Sequence, residues 1–458
     1  MRVSNARSGA ACGAHPRPSA DACAQRRARV AARLEPDEAL VLPGGGLRTR
    51  SADTEFRFRP DSDFYYLTGL ADPGALMVLR PGHEPEFTLF VRPKAPDLEV
   101  WSGRRVGPDL ARERFGADAA FDRGALDEKL PALLDGVRRV HIPLGEPGVQ
   151  RQILRARTAL WRRNRTGATP PEGFIDARVT VGEDRIRKDA AALASLRRAI
   201  DITVSAHDVV QRSVRPGMHE FEVEAQLEYE FRRRGAAGPG YGSIVGGGAN
   251  ATILHYVDND AQLRDGELLL IDAGAEFDLH SGDLTRTFPV GGTFTAAQRD
   301  LYAVCLDANV AGIDKARVGE TIETIHQTCL RVLCQGLIDL GLCEGPLDAL
   351  LESEDYKRYY MHRTSHWLGA DVHDAGYYSI GGTPRPLQPG YVLTVEPGLY
   401  VAADDERAPE ALRGTGVRIE DDVLVTDGDP DVLTAASAKT PEAIEALMAE
   451  GPRTSTEA

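Results

Sequence analysis

The chain has 458 residues, 42% of them hydrophobic and 27% charged, with a formal net charge of −15. This length allows two or three domains, and the acidity excludes broad charge-driven nucleic-acid binding, although a local basic patch remains compatible with it. No uninterrupted apolar run is long enough to span a bilayer, and residues 1–30, with six arginines, lack the apolar segment of a secretory signal, so a cytoplasmic protein is expected.

Residues 1–30 read as a flexible N-terminal extension and 31–180 as an α/β domain. Within it ALVLPGG, ALMVLRPG, FTLFVRP and RRVHIPLG read as short buried strands, with helices over 107–114 and 124–134 between them. The run FRFRPDSDFYYLTGL (56–70) reads as an aromatic staple between a helix and a strand in preference to an exposed ligand platform. Residues 165–185 turn polar and rich in Pro and Gly, as an inter-domain segment would. A long helix is expected from Asp184, with Leu193, Leu196, Ile200 and Val204 at helical spacing and a stop at Arg215-Pro-Gly217, followed by a second over 220–234. The glycine-rich stretch after Gly235 has neither a GKS/T signature nor a strand–GxGxxG–helix context, so it reads as a tight scaffold loop leading to His255. The six cysteines (Cys12, Cys23, Cys305, Cys329, Cys334, Cys343) are sparse and lack CxxC spacing, which suits reduced structural thiols.

The next stretch, LRDGELLLIDAGAEFDLHSGDLTRTFP (263–289), reads as a hairpin: an apolar strand ending in Asp272, a return, and a second strand opening with Asp283. Alternation places Asp283, Thr285 and Thr287 on one face and Leu284, Arg286 and Phe288 on the other. Thr295 and Gln298 then form a capping-box signal for a helix, and another helix is expected over 322–340. Leu387, Gly390, Glu396 and Gly398 then repeat Leu263, Gly266, Asp272 and Gly274 at constant offset, with Glu420 as the acid of the partner strand. Helix, helix, hairpin thus occurs twice, and two such halves facing each other bring four carboxylates together. Apolar surroundings tolerate several like charges only when a cation joins them. Adding His366 from the histidine-rich segment MHRTSHWLGADVHD gives an oxygen-dominated set suited to Mn²⁺, Co²⁺, Fe²⁺ or Zn²⁺, and too anionic for one divalent ion. Arg418 shares a face with Glu420 and is placed to orient an acid, whereas Asp421 and Asp422 read as solvent or turn residues. His373 and His255 are candidates for contacting a substrate carbonyl or an oxyanion, and His362 for either a site wall or a structural hydrogen bond.

The motifs IDAGAEFDLHSGDLTRTFPV, SHWLGADVHD, TVEPGLY and VRIEDDVLV resemble the metallopeptidase family of Xaa-Pro aminopeptidase (aminopeptidase P), prolidase and methionine aminopeptidase, and residues 56–80 resemble the N-terminal domain of the first two. The resemblance implies an α+β protein: a smaller α/β domain, a pita-bread catalytic domain over 181–445 with an internal pseudo-two-fold repeat, and a polar tail over 446–458. It implies two divalent ions, Mn²⁺ foremost, held by Asp272, Asp283, His366, Glu396 and Glu420, with Asp283 and Glu420 bridging. A bridging hydroxide would release the N-terminal residue ahead of proline, with His255, His373 and Glu396 as catalytic groups and His362, Arg418 and Tyr400 around them. It further implies a homodimer or homotetramer in which Trp101 closes a neighbouring site, and no nucleic-acid or membrane partner. Arg363-Thr364 departs from the small or apolar residues common before Ser-His. Prolidase action on Xaa-Pro dipeptides and a non-catalytic peptide-binding role on the same fold stand as alternatives; methionine aminopeptidase is disfavoured by the large N-terminal domain.

Overall fold

The N-terminal half is organised on one six-stranded sheet, in the order Ala119–Asp122, Phe87–Val91, Leu76–Leu79, Glu38–Pro43, Arg139–Ile142, Gly173–Asp176. The computed structural model describes residues 18–452. The alternation along the central strand explains the layering, because successive side chains enter opposite faces. Leu40 and Leu42 pack with Phe64, Met77 and Phe115 on one side, while Ala39 and Val41 pack with Leu130, Ile153 and Leu160 on the other. Helices therefore cover both faces, as expected for an α/β domain.

Four readings from the sequence are corrected. Residues 18–30, expected to be flexible, instead form most of the helix Ala20–Ala31, capped by the Ser19 hydroxyl. Arg26 in this helix is 1% exposed and holds Asp189 at 2.8 Å; the rest of the expected extension, with Cys12, lies outside the described residues. Part of the supposed inter-domain segment is the edge strand Gly173–Asp176 and the helix Ala177–Arg185, for which Asp176 is the cap. The long helix begins at Ala190 and not at Asp184, with Asp189 accepting the Ala192 N–H. The helix Pro441–Glu450 runs through the expected tail boundary, so residues 446–450 are ordered. In the aromatic run, Phe64, Tyr65 and Tyr66 are buried in the helix Ser62–Thr68, and Phe56 is exposed.

One buried guanidinium ties this half to the next. Arg185 reaches Asp63 of the N-terminal domain at 2.6 Å, Asp371 at 2.7 Å, and Asp374, whose other oxygen takes Lys188 at 2.8 Å. Burial opposes the charge on Asp374, but Arg185 and Lys188 hold its carboxyl well below the usual range. Removing the guanidinium leaves the buried Asp63 without its ion-pair partner and Asp374 with Lys188 alone. Arg185→Met is therefore expected to lower stability by about 3–5 kcal/mol, read as a shift of the urea midpoint at unchanged m-value. An unchanged midpoint would show that the ion pairs contribute nothing net.

In the C-terminal half, Leu268–Asp272 pairs antiparallel with Thr285–Pro289, and Val392–Val395 with Asp421–Leu424. Each hairpin follows two helices, Ala190–Ser213 and Glu220–Arg233, then Ala296–Asp314 and Ile322–Asp339, so the α+β architecture with two related halves is present. The capping box at Thr295 and Gln298 is formed as expected. The hairpins meet edge to edge: the Glu420 N–H donates to the Thr285 carbonyl at 3.1 Å, and the Thr287 hydroxyl to the Arg418 carbonyl at 3.0 Å. Among the described residues no helix is long and apolar enough to cross a membrane.

Candidate metal centre

The meeting of the two hairpins sets the geometry of the site. Asp272 ends its strand; Asp283 sits just ahead of the partner strand, which begins at Thr285 and not at Asp283. Gly274 allows these two chain segments to cross, since a Cβ there would collide with the Gly282 carbonyl. In the second half Glu396 follows Val392–Val395. Glu420 lies at the bend between Thr415–Arg418 and Asp421–Leu424, which belong to different sheets. The expected alternation holds there, with Val417 and Ile419 in the core and Arg418 and Glu420 at the cavity. His366 is brought beside Glu396 because residues 364–368 run along Val392–Val395: the Thr394 and Glu396 N–H groups donate to the His366 and Thr364 carbonyls, and the His366 N–H donates to the Thr394 hydroxyl.

All five candidate ligands face one cavity of about 890 Å³. Donor atoms of Asp283, His366 and Glu420 lie within 4.8 Å of one another, a candidate metal-binding cluster. His366 Nε2 is 3.4 Å from Asp283 and 3.6 Å from Glu396, which ties the cluster to the fourth carboxylate. Asp272 joins through Tyr241, whose hydroxyl lies 2.7 Å from Asp272 and 2.5 Å from Asp283. The His366 Nδ1 faces the Trp367 carbonyl at 3.1 Å, which fixes the tautomer that leaves Nε2 free for an ion.

The electrostatics fit a cation. Burial, reinforced by Asp283, Glu396 and Asp272, pushes Glu420 well above the ordinary carboxyl range, and burial raises Glu396 to about 7. Burial opposes charge on His366, yet its bond to Asp283 and the field of Glu396 raise it to about 9. With all four carboxyls ionised and the imidazole neutral, the group would carry more negative charge than its facing guanidinium, Arg418, can balance; the upward shifts record that repulsion, and oxygen ligands with one nitrogen suit a hard or borderline divalent ion.

The remaining candidates divide. Arg418 donates to Asp272 at 2.7 Å and to the Tyr400 hydroxyl at 3.0 Å. His362 lines the cavity, and its Nε2 pairs with the Tyr400 hydroxyl at 2.9 Å. Tyr400 itself stands behind the wall, 2% exposed. His255 and His373 line the cavity outside the ligand cluster; the His373 ring meets that of His366 edge-on at 4.4 Å between centroids. Trp101 is not brought to the site: it is 88% exposed on the helix Pro96–Ser102. Arg363 lines the cavity and pairs with Glu323, while Thr364 is buried, its hydroxyl bonded to His326 and Tyr360.

Asp421 and Asp422 are not solvent or turn residues; both are fully buried. Asp421 pairs with Arg286 at 2.8 Å and Lys439 at 2.7 Å, and Asp422 accepts the Asp283 N–H at 3.0 Å. Asp422 thereby fixes the backbone of a candidate ligand. Tyr241 and Thr285, the latter bonded to Glu420 at 2.7 Å, are further site residues that sequence reasoning missed.

Comparison with known proteins agrees with this geometry. The model of metallopeptidase family M24 matches residues 194–427, and that of the aminopeptidase P N-terminal domain matches 23–142. The chain is 41% identical over 427 residues to the Xaa-Pro aminopeptidase of Escherichia coli and 38% identical to that of Haemophilus influenzae, covering 93% of this chain and 96% of each relative. Among solved structures it is similar to Pseudomonas aeruginosa aminopeptidase PepP (44% identity, TM-score 0.93) and to aminopeptidase P from E. coli with the inhibitor Pro-Leu (40%, 0.91), covering 95% of this chain and 99% of each.

Proposed function

The chain belongs to metallopeptidase family M24, and from that premise we infer that it is a metal-dependent aminopeptidase cleaving the bond between an N-terminal residue and a following proline. The convergence of four carboxylates and His366 on one cavity carries this reading. We assign Asp272, Asp283, His366, Glu396 and Glu420 to two divalent ions, with Mn²⁺ the first candidate from the donor set. Bound ions would supply Lewis acidity toward the scissile carbonyl and lower the pKa of a water.

The chain's own groups supply the rest. The substrate ammonium is drawn to the acidic end of the cavity, which confines cleavage to the first peptide bond. His373, and His255 beside it on the cavity wall, donate to the carbonyl oxygen as negative charge develops there. The proline nitrogen carries no hydrogen and leaves only once protonated, so a proton must be carried to it. Glu396, on the same wall, takes that proton from the attacking water and delivers it. Arg418 and Tyr241 hold Asp272 and Asp283 in position meanwhile. A homodimer or homotetramer, with the exposed Trp101 offered to a neighbour, belongs to the same reading. So does a cytoplasmic location, which suits the five free cysteines among the described residues.

The test is reconstitution. Protein stripped of metal should lose turnover and regain it with Mn²⁺, Co²⁺, Fe²⁺ or Zn²⁺ in a ranked order, cleaving Xaa-Pro-Yaa. Undiminished cleavage by the stripped protein would refute the metal assignment; turnover of Xaa-Pro dipeptides alone would make it a prolidase.

A further inference from the structure

A second cavity, of about 1060 Å³, opens between the N-terminal domain and the loop carrying His373, and His373 lines both cavities. Although the chain carries a net charge of −15, the wall of this cavity holds six arginines against four carboxylates (Asp61, Asp63, Glu146 and Asp371). Three of the arginines are neutralised: Arg185 by Asp63 and Asp371, Arg59 by Glu276, and Arg178 by Asp176. The other three, Arg48, Arg57 and Arg123, form no ion pair among the described residues. Arg57 and Arg123 only donate to the Ala237 and Gly74 carbonyls, and burial holds Arg123 below its ordinary value against the field of Asp127. The acids not bound to Arg185 stand at helix starts, Asp61 accepting the Phe64 N–H and Glu146 preceding Pro147–Arg162.

The direction of a bound peptide follows from the inferred reaction. An aminopeptidase substrate has a single residue on the amine side of the cleaved bond, and that residue is held among the carboxylates. Any part of the substrate that passes His373 into the second cavity therefore belongs to the leaving peptide. We propose that this cavity binds acidic side chains of the leaving peptide through Arg48, Arg57 and Arg123, so that Xaa-Pro peptides with acidic tails are the preferred substrate class. The proposal rests on the aminopeptidase reading above.

The test uses C-terminally amidated Xaa-Pro peptides in which a Glu-Glu, Gln-Gln or Lys-Lys pair is moved stepwise away from the proline along a Gly-Ser tail. At its best position Glu-Glu is expected to exceed Lys-Lys in kcat/KM by about tenfold, and the ratio should shrink in high salt, because exposed charges are screened. Arg48→Gln/Arg57→Gln/Arg123→Gln should bring the ratio toward one, and Arg57→Glu/Arg123→Glu should invert it. Each ratio is taken within one protein, so a general loss of folded enzyme divides out. Tail-independent kcat/KM in the unmodified protein, or a ratio unmoved by the substitutions, would overturn the acidic-tail inference and leave the peptidase reading standing. Failure to cleave any of these peptides with metal present would remove the peptidase reading itself, and this inference with it.

Discussion

Asp283→Asn is expected to lose bound metal and activity together, with kcat/KM falling on the order of 10³-fold or more, equivalent to ~4 kcal/mol of transition-state stabilisation. Asp283 is in direct contact with three other parts of the site: Tyr241 at 2.5 Å, His366 at 3.4 Å, and Asp422 through its own N–H at 3.0 Å. Asparagine keeps the volume and the backbone bond to Asp422, so the fold should persist. What changes is one unit of negative charge, and one of the two carboxylate oxygens becomes an NH2 group, which donates hydrogen bonds and cannot ligate a cation. Removing a like charge from a buried acidic cluster relieves repulsion, so the metal-free variant is expected to melt no lower than the metal-free parent. The parent should gain about 2.7 kcal/mol at an ion concentration 100 times its Kd, and the variant should not. Inductively coupled plasma analysis of bound metal, thermal melts with and without Mn²⁺, and kinetics check the three statements. Glu420→Gln should follow the same pattern, as the second buried member of the cluster. An Asp283→Asn protein that binds the ions normally and turns over at the parental rate would end the ligand assignment.

The acids that meet at the cavity were legible because a strand-end acid behind an apolar run is conspicuous, and the chain presents that arrangement twice. The partners of those acids were not. Tyr241 lies in a glycine-rich loop without periodicity, and its contacts with Asp272 and Asp283 span 31 and 42 residues. Asp421 and Asp422, after Glu420, look like an exposed charged turn, since consecutive acids rarely share a core. Their burial depends on Arg286 and Lys439 and on the Asp283 backbone, none of which the local pattern announces. Arg286 was correctly set on the face opposite Asp283, but its destination required the second hairpin. The same holds for the N-terminal helix: an arginine-rich stretch reads as solvated until Asp189 and the Tyr66 carbonyl are seen to receive Arg26. Local alternation identifies which side of an element is polar; which distant group meets it is set by tertiary packing.

His373→Ala should separate chemistry from metal binding: kcat is expected to fall by about 10²-fold or more, with bound metal and KM little changed. The side chain is exposed to the cavity and outside the ligand cluster, so its truncation removes no ion contact and leaves no hole in the core. Its backbone is held rigidly, because Asp374 next to it is bound by Arg185 and Lys188, and Asp371 by Arg185 as well. A donor fixed in this way costs little reorganisation when charge grows on the carbonyl oxygen, which is why a transition-state role predicts a loss in kcat and not in binding. Desolvation within the cavity and the adjacent His366 hold His373 below its ordinary value, which favours the neutral imidazole, a donor through one N–H. Glutamine can offer a comparable N–H, and His373→Gln should therefore fall between the parent and His373→Ala in kcat at equal metal content. If His373→Ala instead kept the parental kcat and only raised KM, the side chain would be holding substrate in the ground state, and another donor, with His255 the nearest candidate on the same wall, would carry the developing charge.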